Sequence, residues 1–449
     1  MYRILEKINA AVWGLPLLVL MLGVGIYLSI KTRFVQLRLF PKALNAFWRQ
    51  FRSRGDYDGV SSYRALCTAL AATVGTGNLA GVAGALALGG PGAIFWMWIC
   101  ALIGMATKFA EATLAVRFRQ RGDNGEYIGG PMYIIQNGLH KRWHLLAFFY
   151  CFFGLIASFG VGNATQINTV IGGVDSVLDS FQYALRPEWK ILIGVVLAVL
   201  LATMLLGGAK RIGEATELLI PLVSVGYVVL FLVVLANRYT YMPKAFKMIL
   251  IGAFSPQAVT GGMVGSAFLA LRIGTSRGVF THEAGMGTAS IAHAAGNVTK
   301  PAEQGLMGIV EVFADTILIC TLTALVILCS GVPIPYGTDA GVVLTADAFS
   351  SVCGEWIRIP LTIALCLLAI ATILGWGLYG ARCAQFIFGR CAWKYFAILQ
   401  GVAAIGGAVL QTGTVWIVAD IVNGLMAIPN LIALFLLTPE LVRLIKEYA

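Results

Sequence analysis

The stretch TALAATVGTGNLAGVAG, from Thr68 to Gly84, places helix-weakening residues in the middle of an apolar segment. Glycines stand at positions 75, 77 and 81, with the polar Thr76 and Asn78 among them, and the stretch carries no charge. Each glycine weakens a helix by about 1 kcal/mol relative to alanine. Apolar chain of similar length flanks the glycines on both sides. We therefore predict a membrane helix that is interrupted near the bilayer midplane.

The composition is that of a membrane protein. Only 12% of the 449 residues are charged and 59% are hydrophobic, whereas a soluble domain carries about 25% charged residues. Apolar runs of about 20 residues, enough for a helix to cross a bilayer, recur along the chain. The first run is too long for the core of a signal peptide and is read as a retained helix. A β-barrel would show short alternating segments instead, so the sequence predicts an all-α polytopic membrane protein.

We predict about eleven transmembrane helices in a single membrane domain spanning residues 1–449. An extra N-terminal helix at 9–30 precedes two groups of five helices, which occupy residues 64–236 and 254–437. The predicted spans are 9–30, 64–88, 91–116, 145–170, 191–207, 214–236, 254–276, 304–330, 359–383, 395–411 and 414–437. Two stretches fit no span and are expected to be cytoplasmic, a polar connection near residues 122–143 and a small-residue segment near 274–305.

Basic residues are distributed unequally between the two sides of this arrangement. The connection after the first span, KTRFVQLRLFPKALNAFWRQFRSR, is strongly basic, and alternate loops along the chain share its excess of lysine and arginine. Because positively charged loops stay in the cytoplasm, the N-terminus is predicted to lie outside and the C-terminus inside, in a bacterial inner membrane. The net charge of +11 is explained by these loops and does not indicate nucleic-acid binding.

An interrupted helix exposes two opposite electrical poles within the bilayer. The first half ends in free carbonyl groups, and the second half begins with free N–H groups. Carbonyls around Ala71, Thr73 and Val74 are suited to a cation, and N–H groups around Gly77 and Asn78 are suited to a carboxylate. A zwitterion bound together with Na⁺ would satisfy both poles.

Two other interpretations of this stretch compete. GNLAG is a small-xxx-small pattern, which usually marks the close packing of two membrane helices. The glycine spacing also resembles a dinucleotide-binding loop, but that loop requires a soluble strand–turn–helix unit. The packing interpretation remains open from sequence alone.

A second interruption is expected if the two groups of five helices are inverted repeats. Such repeats place a broken helix at the same position in each half. The span that opens the second group reads GGMVGSAFLALRIGTSRG, and we predict its break at 271–274, near Gly261, Gly262 and Gly265.

Two long motifs carry a resemblance to a known family. TALAATVGTGNLAGVAGALALGGPGAIFWMW and the later RGVFTHEAGMGTASIAHAA…KPAEQGLMGIVEVFADT resemble the alanine or glycine:cation symporter family, in the same order and over nearly the whole chain. That resemblance implies a leucine-transporter-type fold with five-plus-five inverted repeats after one extra helix. It also implies uptake of alanine or glycine with Na⁺, or in some members with H⁺.

The resemblance also implies a set of site residues. Those expected to contact the substrate are Thr76, Gly77, Asn78, Gln166, Phe268, Ile273, Gly274, Thr372 and Trp376. By analogy with sodium sites of the leucine-transporter type, the carbonyls of Ala71 and Val74, together with Ala369 and Thr372, are expected to bind Na⁺. The bulky Trp376 ring is expected to leave room only for a small side chain, which would reject larger amino acids.

The chain departs from the family pattern in one segment. It reads THEAG and GTAS where the family usually has Ser-Asn-Glu-Ala-Gly and Gly-Ser-Ala-Pro, so the unusual residues are Thr281, His282, Thr288 and Ser290. The sequence puts them in the cytoplasmic segment and away from the pocket. A pH-sensing role for His282 is a secondary hypothesis, weighed against an ordinary loop role.

Charged residues inside predicted spans need partners or functions. Lys108 and Glu111, three residues apart, are expected to form a structural pair, and Asp315 is a candidate proton relay. The sequence contains no nucleophile–base arrangement, and its nine cysteines include no CxxC pair. We therefore predict a transporter and not an enzyme, with no cofactor, a lipid bilayer around it, and Na⁺ as coupling ion with H⁺ as the alternative. A symporter of another small solute and a channel or structural membrane protein are the rival hypotheses.

Overall fold

The computed structural model describes residues 2–52, 60–122, 125–264, 266–338, 341–409 and 412–448. Within these ranges the chain is almost entirely helical, apart from one short hairpin of strands β1 (Gln120–Arg121) and β2 (Tyr127–Ile128). Gly265, cited in the prediction of a second break, lies outside the described residues. The N-terminal helices are α1 (Tyr2–Val12), α2 (Leu15–Lys31), α3 (Val35–Arg38) and α4 (Phe40–Arg52).

The next helices correspond to the first predicted group of five. They are α5 (Ser62–Thr73), α6 (Val82–Gly89), α7 (Gly92–Phe118), α8 (Pro131–Gly138), α9 (His144–Phe159), α10 (Thr165–Ser180), α11 (Pro187–Leu206) and α12 (Gly208–Asn237). Ser61 caps α5, because its hydroxyl accepts a hydrogen bond from the amide of Arg64 at 3.1 Å. A π-helical turn at Gly160–Ala164 joins α9 to α10 without ending the helix.

The remaining helices follow in chain order. They are α13 (Met242–Phe254), α14 (Pro256–Thr260), α15 (Ala267–His282), α16 (Thr288–Ala294), α17 (Pro301–Val312), α18 (Thr321–Ser330), α19 (Gly341–Cys353), α20 (Arg358–Phe388), α21 (Ala392–Val409), α22 (Thr412–Leu436) and α23 (Thr438–Tyr448). A π-helical turn at Phe313–Cys320 makes α17 and α18 one continuous span. In the described residues, eight helices are long and apolar enough to cross a membrane, or up to ten with two bent pairs.

The predicted interruption of the first core helix is confirmed. α5 ends at Thr73, a π-helical turn covers Gly77–Gly81, and α6 continues to Gly89 at an angle of 50° to α5. The glycines also serve packing, because a side chain at Gly77 or Gly81 would meet Phe280 or Thr281 of α15 at 3.4–4.0 Å. The same glycines therefore interrupt the helix and allow α15 to pack closely against it.

The predicted break at 271–274 is wrong, as is the span 254–276 that was to contain it. α15 runs unbroken through these positions to His282, and the interruption follows at Glu283–Gly287, before α16. Gly274 instead allows α15 to pack closely on α7, because an added Cβ would overlap the carbonyl oxygen of Ala93. The true break needs left-handed backbone, which Glu283 (φ 52°), Gly285 (φ 98°) and Gly287 (φ 79°) adopt.

The segment near 274–305, predicted to be a cytoplasmic connection, in fact enters the core. Residues 281–294 are all buried, since they pass between α7, α5 and α20. The long α7 lies at the centre of the molecule and packs against α2, α13, α15, α16 and α17. Both interrupted helices therefore run beside a rigid central helix.

Candidate functional site

One face of α20 meets both interruptions. Thr372 lies against the first break, where a Cβ added at Gly75 would stand 2.7 Å from its hydroxyl oxygen. Trp376, one turn further along the same face, donates a hydrogen bond from Nε1 to Oε1 of Glu283 in the second break, at 3.2 Å. Because residues four apart share a helix face, α20 brings the two breaks to adjacent positions.

The first break releases backbone carbonyl groups into the interior. The last helical bond of α5 runs from the amide of Val74 to the carbonyl of Leu70 at 2.7 Å. The next amide, that of Gly75, instead donates to Oδ1 of Asn78 at 2.9 Å. In an unbroken helix this amide would have bonded to the carbonyl of Ala71. The carbonyl of Ala71 is thereby freed to bind something else.

Asn78 fastens the break to a neighbouring helix. Its Nδ2 donates to the carboxylate Oδ1 of Asp315 at 2.6 Å and to the carbonyl of the same residue at 3.3 Å. Asp315 also accepts from the hydroxyl of Thr316 at 2.7 Å. Asn78, predicted to contact substrate, therefore has a structural role as well, because both ends of its amide are used to hold the unwound segment.

Gln166 reaches the first break from the start of α10, directly after the π-helical turn at Gly160–Ala164. Its Oε1 accepts a hydrogen bond from the hydroxyl of Thr76 at 3.1 Å, and its Nε2 donates to the carbonyl of Val161 at 3.2 Å. The π-helical turn misaligns the helical hydrogen bonds locally, which leaves that carbonyl available for the side chain. Thr76 and Gln166, distant in sequence, are thus brought together as predicted.

The hydroxyl of Thr372 is buried and has no hydrogen-bond partner among the described residues. A buried polar group without a partner costs about 1–3 kcal/mol, so this hydroxyl is available to a ligand at the first break. Ala369 lies one turn earlier on the same face, and α20 packs directly on α5, with Gly375 against Ala72. The four residues predicted to bind Na⁺ therefore lie on two helices that touch at the break.

A carboxylate from α7 holds the second break. Oε1 of Glu111 accepts from the amides of Gly285 and Gly287 at 2.9 and 3.0 Å, and from Nδ2 of Asn430 at 2.8 Å. Successive backbone N–H groups in turn conformation form a concave site for an anion. Here the protein supplies that anion itself, so the second break is closed by a protein carboxylate.

Lys108 does not pair with Glu111 as predicted. Its ammonium lies 3.1 Å from Oε1 of Glu311 in α17, and both side chains are fully buried. The second oxygen of Glu311 bonds to Nε2 of His293 at 2.8 Å, and Nδ1 of His293 receives a bond from Gln304 at 2.7 Å. The physical reason is that Glu111 is engaged by the amides of the second break, while Glu311 faces Lys108 across the α7–α17 contact.

Three predicted substrate residues lie away from this convergence. Phe268, near the start of α15, is 57% exposed. Ile273 packs against Gly89, and Gly274 packs against α7. The family resemblance implied them together with a second break, which the structure places at Glu283–Gly287 and not at 271–274, so their contact with substrate stays a prediction.

Sequence reasoning missed Glu283, and it placed Thr281 and Thr288 outside the core. The hydroxyl of Thr288 donates to Oε2 of Glu283 at 2.6 Å, and Thr281 bonds to Thr316 at 3.1 Å. His282 and Ser290 are also buried. The unusual residues therefore border the site. A signal was present in the sequence: GTG at 75–77 and GMG at 285–287 share a spacing, and both coincide with breaks.

No group of three or more His, Cys, Asp or Glu side chains that could hold a metal ion occurs in the part of the chain that the structure describes. The available ligands at the first break are carbonyl and hydroxyl oxygens, which suit a hard cation such as Na⁺.

Comparison with known families gives a match over the whole chain. The model of the Sodium:alanine symporter family matches residues 1–449. The sodium/alanine symporter AgcS of Methanococcus maripaludis is 41% identical over 449 residues, covering 99% of this chain and 96% of the relative. The probable sodium/glutamine symporter GlnT of Bacillus subtilis is 36% identical over 457 residues, covering 100% and 91%.

Solved structures show the same fold at low sequence identity. MhsT in complex with L-phenylalanine superposes with a TM-score of 0.63 at 16% identity, covering 85% of this chain and 90% of that one. Mhp1, a nucleobase-cation-symport-1 family transporter, superposes with a TM-score of 0.55 at 12% identity, covering 86% and 92%. The fold is thus of the leucine-transporter type, as predicted, while the exact number of spans and the internal repeat stay predictions.

Proposed function

The chain belongs to the sodium:alanine symporter family and is a multi-pass membrane transporter, and from this premise we propose that it takes up alanine, glycine or both together with Na⁺. The observation that carries the proposal is the meeting of two interrupted helices on one face of α20. Interrupted helices of this kind bind ions and zwitterions at membrane depth in secondary transporters.

The proposed substrate site lies along the first break. The backbone N–H groups around Gly77, at the start of the second half-helix, attract the substrate carboxylate, whereas the N–H of Asn78 donates to the carbonyl of Gly75 at 3.2 Å. Thr76 and Gln166, already joined at 3.1 Å, add polar contacts that orient the amino acid. The positive pole of a half-helix matches the carboxylate of a neutral amino acid without requiring a basic side chain.

The proposed Na⁺ site uses the other pole. Carbonyls of Ala71 and Val74 supply two oxygens, and Ala369 and Thr372 of α20 supply the carbonyl and the hydroxyl. The unpaired buried hydroxyl of Thr372 supports this assignment. A cation bound there would stabilise α20 against the break, because its ligands come from both helices.

The proposed size filter is Trp376. Its indole is only 1% exposed. The ring cannot shift away from the breaks, because Gly162 of the π-helical turn lies against its Cβ and Tyr379 packs edge-on at a centroid distance of 5.8 Å. A fixed ring beside the breaks leaves room for a hydrogen or a methyl group and excludes larger side chains.

The mechanism we propose is alternating access. Na⁺ and the amino acid both favour the conformation in which the half-helices contact α20, and each therefore raises the affinity for the other. Movement of the helices that contain the breaks, relative to α20 and its neighbours, then opens the site to the opposite side of the membrane. We further propose that the N-terminus lies outside, the C-terminus in the cytoplasm, and the membrane is a bacterial inner membrane.

Uptake of radiolabelled alanine by proteoliposomes tests the function. We expect accumulation above the external concentration only with an inward Na⁺ gradient, and none when K⁺ replaces Na⁺. An inward H⁺ gradient without Na⁺ is the second arm, and accumulation there would assign the coupling ion to H⁺. A channel would equilibrate alanine without accumulating it under either gradient.

Competition by unlabelled amino acids tests the specificity. Glycine and alanine should compete, and glutamine should not, although the name of one relative includes glutamine. Trp376→Ala should admit larger amino acids as competitors, whereas Trp393→Ala, which removes an indole bonded to the carbonyl of Leu205, should not. Competition by glutamine in the wild-type protein would contradict the proposed filter.

A further inference from the structure

Glu283 occupies an unusual position in the second break. It is a buried residue in left-handed conformation, with φ 52° and ψ 19°. The other non-glycine residues with positive φ among those described, Arg33, Phe34 and Gln182, are exposed. A left-handed residue with a Cβ costs about 1–2 kcal/mol, and such strain tends to persist where a side chain has to be aimed at a functional target.

The side chain of Glu283 is fixed at both oxygens. Oε2 accepts from the hydroxyl of Thr288, at the start of α16, at 2.6 Å, and Oε1 accepts from Nε1 of Trp376 at 3.2 Å. The carboxylate therefore connects the far side of the break to the indole on α20. Hydrogen bonds to a charged acceptor are worth about 1.5–3 kcal/mol, more than those between neutral groups.

Two other contacts of Trp376 limit the position of its ring, and the hydrogen bond to Glu283 sets the ring orientation. Gly162 behind the Cβ prevents retreat of the ring, and Tyr379 supports one edge. Tyr379 carries a hydroxyl, but that hydroxyl has no hydrogen-bond partner among the described residues, so these two contacts do not direct the indole N–H. Rotation of the flat indole about its Cβ–Cγ bond is a soft torsion, and Nε1 donates its hydrogen bond to Glu283.

We propose that Glu283 is a specificity-positioning residue, which fixes the orientation of the Trp376 indole and thereby the width of the amino-acid pocket. This inference rests on the proposed function, and it adds a determinant of substrate size that lies in the second break. Because Glu283 moves with the break and Trp376 with α20, the pocket has its narrow form only when the break is docked on α20.

A double-mutant cycle in the uptake assay tests the proposal. Trp376→Phe keeps an aromatic ring but removes the N–H donor, and Glu283→Ala removes the acceptor. Each variant should shift the ratio of the half-inhibitory concentrations of leucine and alanine by at least about tenfold toward leucine. The double variant should show no further shift, because both changes remove the same interaction.

Two variants serve as controls. Glu283→Gln retains an oxygen that accepts from the indole, and it should restore the wild-type ratio to within about threefold. Trp393→Phe removes an indole donor that bonds to the carbonyl of Leu205 at 2.8 Å, and its ratio should equal that of the wild-type protein. Each variant is checked for folding by size-exclusion chromatography and thermal unfolding in detergent.

The outcomes separate this proposal from the function on which it rests. If the wild-type protein fails to accumulate alanine, the proposed function fails. If it accumulates alanine but folded Trp376→Phe keeps the wild-type ratio, only the positioning role of Glu283 is wrong. Trp376→Phe alone decides the question if Glu283→Ala does not fold. Additive shifts in the double variant would also overturn the proposal, since they would mean that the two side chains act separately.

Discussion

The hydroxyl group of Thr372 allows a test of whether the first break binds a ligand or serves only helix packing. Many buried threonines in this protein donate their hydroxyl to a carbonyl three or four residues earlier in the chain, as Thr438 at the start of α23 does to Leu434 of α22 at 2.9 Å. Thr372 is buried without such a bond among the described residues and lies against the unwound Gly75. An interior normally satisfies its polar atoms, so the unpaired hydroxyl beside the first break supports the proposal that Thr372 is a cation ligand.

Thr372→Val should therefore separate ion binding from stability. Valine has nearly the same shape, and the variant loses no protein hydrogen bond, so its unfolding temperature without Na⁺ should equal or exceed that of the wild-type protein. The Na⁺ concentration for half-maximal alanine uptake should rise at least about tenfold, and stabilisation of the fold by added Na⁺ should largely disappear.

Thr438→Val is the matched control for this experiment. It removes the hydrogen bond from Thr438, at the start of α23, to the carbonyl of Leu434 in α22, and should leave the Na⁺ dependence unchanged. An unaltered Na⁺ requirement in folded Thr372→Val would remove Thr372 from the ion site.

The sequence and its family resemblance pointed to several candidate site residues but not to their partners. The resemblance implied Asn78, Gln166 and Thr372, and polar residues in apolar spans need a function or a partner. That Asn78 bonds to Asp315, or that Lys108 pairs with Glu311 and not with Glu111, depends on contacts between residues about 200 positions apart. Such contacts follow from how helices pack, and a single sequence does not encode them in any local pattern.

At the scale of helices, the two breaks are built by different means. The first uses glycines and a side-chain amide, since Asn78 replaces a helical bond at Gly75. The second uses left-handed residues and a carboxylate from another helix, since Glu111 binds the amides of Gly285 and Gly287. Glycine in an apolar span indicated the first break correctly. It failed for the second because Gly274 serves close helix packing, which has the same composition as a break.

Substitution of Gly274 distinguishes these two roles. Gly274→Ala should lower the unfolding temperature in detergent, because its Cβ would overlap the backbone of Ala93 and force α15 away from α7. Overpacking of this kind costs about 1–3 kcal/mol. Gly23→Ala in α2 is the matched control: a Cβ there meets nothing within 4 Å, and the variant should be neutral or slightly more stable.

A different result would revise the description of α15. If Gly274→Ala and Gly23→Ala unfold at the same temperature, α15 does not pack on α7 as described. If Gly274→Ala instead keeps its stability but loses alanine uptake, position 274 belongs to a flexible break after all.

At the scale of the whole molecule, composition predicted the class of protein, and the family resemblance implied the fold. Low charge and repeated apolar runs indicated a polytopic helical protein, and the leucine-transporter-type fold agrees with that prediction. The segment near 274–305 was predicted to be a loop because small residues and threonines look like one by hydropathy, whereas residues 281–294 are buried against α7, α5 and α20. They are tolerated in the core, where Glu111 of α7 accepts from the amides of Gly285 and Gly287 and Trp376 of α20 donates to Glu283.

The predicted orientation can be tested with a cysteine that the protein already contains. Cys391 is exposed between α20 and α21, whereas the other eight cysteines are buried or partly buried. It lines a cavity of about 1050 Å³ whose wall includes Arg121, Lys210 and Arg390, and this basic side is the one predicted to face the cytoplasm. A membrane-impermeant maleimide should therefore label Cys391 in inside-out vesicles and leave it unlabelled in right-side-out vesicles.

Cys391→Ser provides the baseline for this measurement, because any signal that it retains comes from the partly buried cysteines. The difference between the two proteins then reports only position 391. Labelling of Cys391 in right-side-out vesicles would reverse the assigned topology. The basic cavity would then face the outside, contrary to the positive-inside distribution of arginine and lysine. The side of the membrane to which the site between the breaks opens would be reversed as well.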